Sequence, residues 1–434
     1  MKRALLLLCA FWVLCFSAVE GCQAADTNPY PSRRQKLMQQ LGDGIFVAKG
    51  GSTHFYYLTG VDEAEAWLLL APKGVRVEIY RRWPGPDYIR GHVVREILFA
   101  PGRTSLQQRW EGAGAGAADK LKEETGVERV YDSGLFEEML TMALPYHSTF
   151  WTCVGGRGGA GTAVPLRGTL PADLALVESV RARFPGLAVK DATAVVTEMR
   201  RIKEAGELEM MEKAVDAWGA GVRSAMKSAR PGMFEYEVEA AAVGEFRRRG
   251  GNAASSCIVA SGPNAAILHY RENSRRIEAN DLILLDSADT TYQHYAADLT
   301  RTFPASGKFT PKQKELYEIV LRAADEAIKM MRPGVKIEDL HTRAYQVIEQ
   351  AGYGKYFVHG LSHYIGLDGH DVGDVWKPLE AGSVITIEPG IYMPEAGLGI
   401  RLEDEVLVTA DGARLLSAGV PRTVEEIERF MAAK

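Results

Sequence analysis

Arg-Pro-Gly occurs twice in this chain, at 230–232 and 332–334, and each copy stands between two helix-like stretches. Before the first copy, Leu208, Met211, Val215, Trp218 and Val222 recur at helical spacing, which predicts a helix with one apolar stripe. A second helix is expected from Glu235 to Arg249, ended by Gly250 and Gly251. Before the second copy runs "TPKQKELYEIVLRAADEAIKMM", opened by Thr310 and Pro311, a good N-cap and first-turn pair. A further helix is expected to reach Gly352. Proline and glycine stop a helix for separate reasons, a missing N–H and a permissive φ. Helix, Arg-Pro-Gly, helix, then strands, twice over, is the pattern of a duplicated unit.

The duplication locates a set of carboxylates. Asp286 stands 55 residues after Pro231, closing "LILLD", and Glu388 stands 55 residues after Pro333, closing "VITIE". Each is followed by a second expected strand with another carboxylate: Asp298, twelve residues on, and Glu403, fifteen on. Two such units packed about a pseudo-twofold axis bring the four together. A single acidic residue at a strand end is usually a solvated cap or turn former. Four at matched offsets behind apolar strands cannot stay ionised together in a dry site, because repulsion and desolvation raise their pKa values. Metal cations are the simplest remedy.

Three of the nine histidines, His359, His363 and His370, fall within "HGLSHYIGLDGHDVG" (359–373). One imidazole can complete an oxygen-rich metal site, and the glycines allow tight turns that bring several histidines to one mouth. Taken singly, each is more often a packed or surface residue. His269 and His370 lie 38 residues after Pro231 and 37 after Pro333, so they occupy nearly matched places in the repeat.

Five segments in order, "NAAILHY" (264–270), "ADLTRTF" (297–303), "HGLSHYIGLDGHDVG", "TIEPGIY" (386–392) and "GIRLEDEV" (399–406), resemble the proline-specific metallopeptidases. These are aminopeptidase P (Xaa-Pro aminopeptidase) and the neighbouring prolidase (Xaa-Pro dipeptidase). The resemblance implies an α+β architecture. A smaller α/β N-terminal domain of the aminopeptidase P/creatinase kind, residues 26–170, would precede a pita-bread catalytic domain built on the duplicated unit, residues 171–434.

Carried over motif by motif, the metal ligands are Asp286, Asp298, His363, Glu388 and Glu403. Asp298 and Glu403 would bridge two ions, Asp286 would complete one, and His363 with Glu388 the other. The family pattern makes Glu388, His370 and His269 catalytic. Glu388 would handle the proton, and His370 would stand near the tetrahedral intermediate. His359 and Arg401 would bind substrate on the leaving side, or Arg401 could orient Glu403. Four carboxylates and a neutral imidazole carry a charge of −4, which two divalent cations cancel, leaving a bridging hydroxide as the nucleophile. Oxygen-rich ligation favours manganese, and the resemblance implies it too. One departure is that Asp286 and Asp298 are separated by one residue more than is usual in the family; Asp289 is the nearby substitute.

The expected function is that of an exported dimetal peptidase cleaving peptides with proline at the second position. Prolidase activity is the alternative, followed by a metal-free creatinase-like hydrolase or a non-catalytic binding protein. Both of the last two should lack ligands that are all present here. A homo-oligomer is expected.

The remaining features set limits. A formal net charge of −5 with both signs scattered leaves no basic footprint for nucleic acid. Lys2 and Arg3 precede a 16-residue apolar run, Ala4 to Val19, then "CQAAD". This reads as a signal peptide over residues 1–25, too short for a stable membrane span, with lipid anchoring at Cys22 the weaker reading. Beyond it only Cys153 and Cys257 remain, too few for a disulfide framework. In the first half, "FYYLTG" (55–60), "AWLLLA" (66–71) and "RVEIY" (76–80) read as strands, with helices over 135–144 and 172–184. "GRGGAG" (156–161) matches a dinucleotide fingerprint in letters, but prolines follow where a helix should open, so it reads as a connector.

Overall fold

The computed structural model describes residues 28–77, 92–112, 114, 116–154, 169–253, 257–287 and 290–433. The leader, "GRGGAG", Asp289 and the end of "RVEIY" lie outside the described residues.

The first part runs α1 (Tyr30–Leu41), β1 (Ile45–Lys49), α2 (Thr53–Thr59), β2 (Trp67–Val77), β3 (His92–Ala100), α3 (Ser105–Glu111), α4 (Ala118–Thr125), β4 (Arg129–Asp132), α5 (Phe136–Ala143), β5 (Thr149–Thr152), α6 (Ala172–Arg183) and β6 (Ala188–Asp191). Its strands form one sheet in the order β4-β3-β2-β1-β5-β6. Side chains on a strand alternate between faces, and here both faces are covered. Ile45 and Val47 pack with Phe136, Leu140, Val177 and Val180. Phe46 and Ala48 pack with Leu37, Phe55, Leu58 and Leu121 on the other side. Burial on both faces explains the unbroken apolar run of "AWLLLA".

Two expectations need correction. "FYYLTG" is helical: it forms most of α2, capped by Ser52, whose side chain accepts from the Phe55 N–H, and by Gly60 at φ 70°. His54, Phe55, Tyr57 and Leu58 are buried, the spacing of a helical face and not of a strand. The boundary expected at residue 170 also falls too early. β6 pairs in parallel with β5, so the first sheet continues to Asp191. The glycine- and proline-rich stretch therefore does not mark the domain boundary, since composition signals irregular chain and not domain ownership.

The second part begins with α7 (Thr193–Arg201), α8 (Ala205–Ser228) and α9 (Glu235–Arg248). Then come β7 (Asn252–Ala253), β8 (Ile258–Ser261), β9 (Leu282–Asp286), β10 (Thr290–Tyr292), β11 (Tyr295–Ala296) and β12 (Arg301–Pro304). The second copy has α10 (Pro311–Met330) and α11 (Ile337–Gln350), followed by β13 (Val384–Ile387), β14 (Gly390–Met393), β15 (Leu398–Arg401), β16 (Asp404–Val408) and β17 (Ala413–Leu415); α12 (Val424–Ala432) closes the chain. The copies match in their four central strands. β9 pairs antiparallel with β12, and β10 with β11; β13 pairs antiparallel with β16, and β14 with β15. Both helix pairs bury their stripes in one core that includes Trp218, Phe246, Tyr317, Leu340 and Ile348. The expected duplication is the organising feature of the domain.

Where each copy's outer hairpin turns back to its inner strand, the ladder is interrupted. Residues 297–300 separate β11 from β12, and residues 402–403 separate β15 from β16. Those two breaks lie side by side: the Glu403 N–H donates to the Thr300 carbonyl at 3.1 Å. The Asp298 N–H donates to Glu405 Oε1 at 2.8 Å. Thr302 Oγ1 donates to the Arg401 carbonyl at 2.9 Å. The pseudo-twofold relation therefore passes close to the two interruptions.

The first domain docks through charged groups. Arg33 of α1 meets Glu204 at 3.0 Å and Glu207 at 3.2 Å, and Tyr57 of α2 donates to the Met199 carbonyl at 3.1 Å. Among the described residues no helix is long and apolar enough to cross a membrane.

Candidate metal centre

Each expected ligand sits at a place where regular structure stops. Asp286 ends β9 and Glu388 follows β13 directly. Asp298 and Glu403 were expected on strands, but each stands in one of the two breaks. The reason is geometric. A residue inside a ladder points to one face of its own sheet, whereas a residue at an interruption can point into the space between two sheets.

The structure brings the five together. Asp298, His363 and Glu403 offer ligand atoms that all lie within 4.8 Å of one another. His363 Nε2 lies 3.5 Å from Asp298 Oδ2 and 3.5 Å from Glu388 Oε1. Asp286 joins through Thr300, whose Oγ1 is 2.8 Å from Asp286 Oδ1 and 2.7 Å from Glu403 Oε2. Ser287 Oγ donates to Asp298 Oδ1 at 2.9 Å, and the Tyr364 carbonyl accepts from His363 Nδ1 at 3.0 Å. That bond leaves Nε2 as the lone-pair nitrogen turned to the carboxylates. Asp289, the substitute for Asp286, is outside the described residues.

Electrostatics test whether cations fit here. Burial first, and then the charges of neighbouring carboxylates, raise Glu403 and Glu388 well above the ordinary carboxylate range. Asp298 is pushed up to about 6 by burial and by Asp286. Thr300 has one proton to give, yet two carboxylate oxygens crowd its hydroxyl, which also accepts from Arg401 Nε at 3.0 Å. A set of four carboxylates and one imidazole with this much unrelieved negative charge suits hard divalent cations.

Arg401 meets a different carboxylate from the Glu403 that its shared strand face suggested. It is buried, and its Nη2 donates to Asp286 Oδ2 at 2.6 Å, with Tyr392 Oη taking Nη1 at 3.1 Å. It orients Asp286, not Glu403, because Glu403 is turned toward Thr300. Tyr392 also bonds His359 Nε2 at 2.9 Å, while His359 Nδ1 meets the Gly360 carbonyl at 2.8 Å. Nδ1 therefore carries the proton and Nε2 accepts from the tyrosine. Burial, then the Arg401 charge, holds His359 down to about 4, so it is neutral near pH 7. His370 stacks on His363 with ring centres 3.8 Å apart, and desolvation with the charges of His363 and His269 holds it to about 4. His269 lies exposed on the loop after β8. Thr300 and Tyr392 were not singled out in sequence. Tyr392 closes the quoted "TIEPGIY", and that position was the one available signal.

Comparison with known proteins identifies the family. Residues 209–410 match the model of metallopeptidase family M24, and residues 51–151 match the aminopeptidase P N-terminal domain. The chain is 33% identical to an Xaa-Pro aminopeptidase of Haemophilus influenzae over 87% of each chain. It is 32% identical to that of Escherichia coli, covering 93% of this chain and 97% of the relative. Among solved structures, aminopeptidase P from Escherichia coli with the inhibitor Pro-Leu superposes with a TM-score of 0.79 at 29% identity, covering 93% and 98%. With both domain models matched in order and a relative similar over nearly its whole length, the chain belongs to the aminopeptidase P type of metallopeptidase family M24.

Proposed function

We propose that this metallo-aminopeptidase releases the first residue of peptides whose second residue is proline, using two divalent cations, with manganese the expected metal. Asp286, Asp298, His363, Glu388 and Glu403 would hold them. The observation that supports the reading is that the two interruptions meet with His363 beside them, so that ligand atoms of Asp298, His363 and Glu403 all lie within 4.8 Å of one another. Bound there, the cations would supply a water that ionises near neutral pH and positive charge for the developing oxyanion.

The chain's own groups do the rest. Glu388, whose Oε1 lies 3.5 Å from His363 Nε2 at the edge of the cluster, would take the proton as the nucleophile forms and return it to the leaving nitrogen. His370 and His269 would face the reacting peptide, with His370 donating to oxygen charge that grows as the carbonyl becomes tetrahedral. His359, fixed by Tyr392, would border the leaving side, and Arg401 would act there through Tyr392. Proline lacks an N–H and has a fixed φ, so peptidases that bind the leaving residue through its amide handle it poorly. A shaped pocket beside a strong nucleophile avoids that need.

The relatives similar over 87% and 93% of the chain are Xaa-Pro aminopeptidases, whereas Xaa-Pro dipeptidases match over 58% and 52%, which favours aminopeptidase action. The manganese-loaded mature protein should cleave Xaa-Pro-Yaa tripeptides, spare Xaa-Ala-Yaa and bind about two metals per chain. Cleavage of Xaa-Pro dipeptides alone would favour prolidase; a single tight zinc would sink the dimetal reading. The basic start and short apolar run support export, and association of identical copies is part of the same proposal.

A further inference from the structure

Arg200, near the end of α7, is buried, and its guanidinium is divided between two domains. Nη1 donates to Thr53 Oγ1 at 2.8 Å and meets His54 Nδ1 at 3.0 Å, both at the start of α2. Nη2 donates to Asp368 Oδ2 at 2.8 Å and also to Asp371 Oδ1. Thr53 Oγ1 in turn donates to Asp368 Oδ2 at 2.8 Å, and Lys203 Nζ reaches Asp371 Oδ2 at 3.1 Å. Arginine can only donate, so His54 must accept at Nδ1.

The two carboxylates bracket His370. The Asp371 N–H donates to the Tyr364 carbonyl at 2.8 Å, and the Gly366 N–H to the Asp368 carbonyl at 3.1 Å. A side chain at Gly366 would run into the Asp371 carboxylate; the loop can close on itself only with glycine there. Gly366 and Gly369 also make this stretch intrinsically soft. The His370 ring rests on His363, and its backbone is held from both sides by residues that end on Arg200.

We infer that Arg200 is a positioning residue for His370: through Asp368 and Asp371 it holds the glycine-rich loop against the first domain and so sets where the imidazole stands. The inference rests on the role proposed above for His370. Its physical content is that a displacement of roughly 1 Å in a reacting group costs about 10²-fold in rate. It also gives the N-terminal domain a part in the chemistry, because Thr53 and His54 hold the guanidinium's Nη1 while Nη2 holds the loop.

The test is a double-mutant cycle on the full, manganese-loaded chain with an Xaa-Pro-Yaa peptide. Arg200→Gln and Asp368→Asn are each made in the wild type, in His370→Ala and in His269→Ala, and kcat, KM and metal content are measured. Arg200→Gln should lower kcat about 10²-fold with both metals retained. In His370→Ala the same change should cost less than about twofold, because the group it positions is gone. In His269→Ala the full loss should persist. Losses that multiply in the His370→Ala background would overturn the inference, as would loss of metal from Arg200→Gln. If that variant does not fold, Asp368→Asn keeps the Arg200–Asp371 pair and carries the same cycle with a smaller first loss. A fully active His370→Ala would overturn the role of His370 and this inference together; an impaired His370→Ala with multiplying losses overturns the positioning role alone.

Discussion

His363 and His370 lie ring on ring, yet the chemistry expected of them differs. His363 Nε2 points at Asp298 and Glu388, whereas His370 lies at the exposed edge of the stack. His363→Ala should therefore weaken metal retention, since an under-coordinated ion is free to leave. His370→Ala should keep both metals and lose about 10²–10³ in turnover, the usual cost of removing a donor to a developing oxyanion. Metal analysis beside rate measurements separates the two; equal loss of metal in both variants would contradict the assignment. Four carboxylates were legible in sequence as a repeated pattern of acids behind apolar strands, a one-dimensional signal, while the family resemblance supplied His363 and the five as a proposed ligand set. Thr300 was not. A threonine between a leucine and an arginine looks like any other until the fold places Asp286 and Glu403 on its hydroxyl. Arg401 was noticed but misdirected, since sharing a strand face with Glu403 says nothing of which carboxylate arrives from another strand.

At the scale of elements, the two Arg-Pro-Gly turns are the clearest link from sequence to structure. Gly232 has φ 94° and Gly334 φ 92°, a region costly to any residue with a Cβ. Nothing lies within 4 Å of a Cβ built at Gly334, so its substitution isolates the backbone term. Gly334→Ala should cost about 1–2 kcal/mol, read as a lower denaturant midpoint with an unchanged slope. No loss would mean that the turn relaxes freely. α2 shows the opposite case: "FYYLTG" has strand-forming residues, yet Ser52 and Gly60 cap it as a helix. The caps were present in the sequence and were outweighed by β-propensity, which is largely a statement about packing context.

For the whole molecule, the junction between domains is built from buried charge, and acid should find it. Burial opposes ionisation of Asp371, but Lys203 and Arg200 outweigh it and hold its pKa below the ordinary value. The unfolded chain then binds more protons across the titration, so stability rises with pH there. The contribution is present above pH ~4 and is lost as pH falls through the native pKa. Asp371→Asn should be less stable near neutrality by about 3–5 kcal/mol and should fall less steeply than wild type below pH ~4. Urea midpoints across that range test it; parallel curves would refute the assignment. At the N-terminus we expect the exported protein to begin near Ala25, which intact mass decides. A retained Met1, or acyl chains on Cys22, would show that reading wrong.

Sequence alone determined the duplication, the helix pairs and their turns, because each rests on spacing or on local backbone chemistry, and the resemblance of its motifs supplied the proposed ligands. Tertiary structure decided what those residues meet. It moved Asp298 and Glu403 from strands to the interruptions between them, carried the first sheet on to β6, and turned Arg401 toward Asp286. It also placed Thr53, His54, Arg200 and Asp371 in one buried junction, although more than three hundred residues separate the first from the last. No local pattern encodes such a meeting, since the groups approach only after two domains have closed on each other, and burial then makes their pairing compulsory.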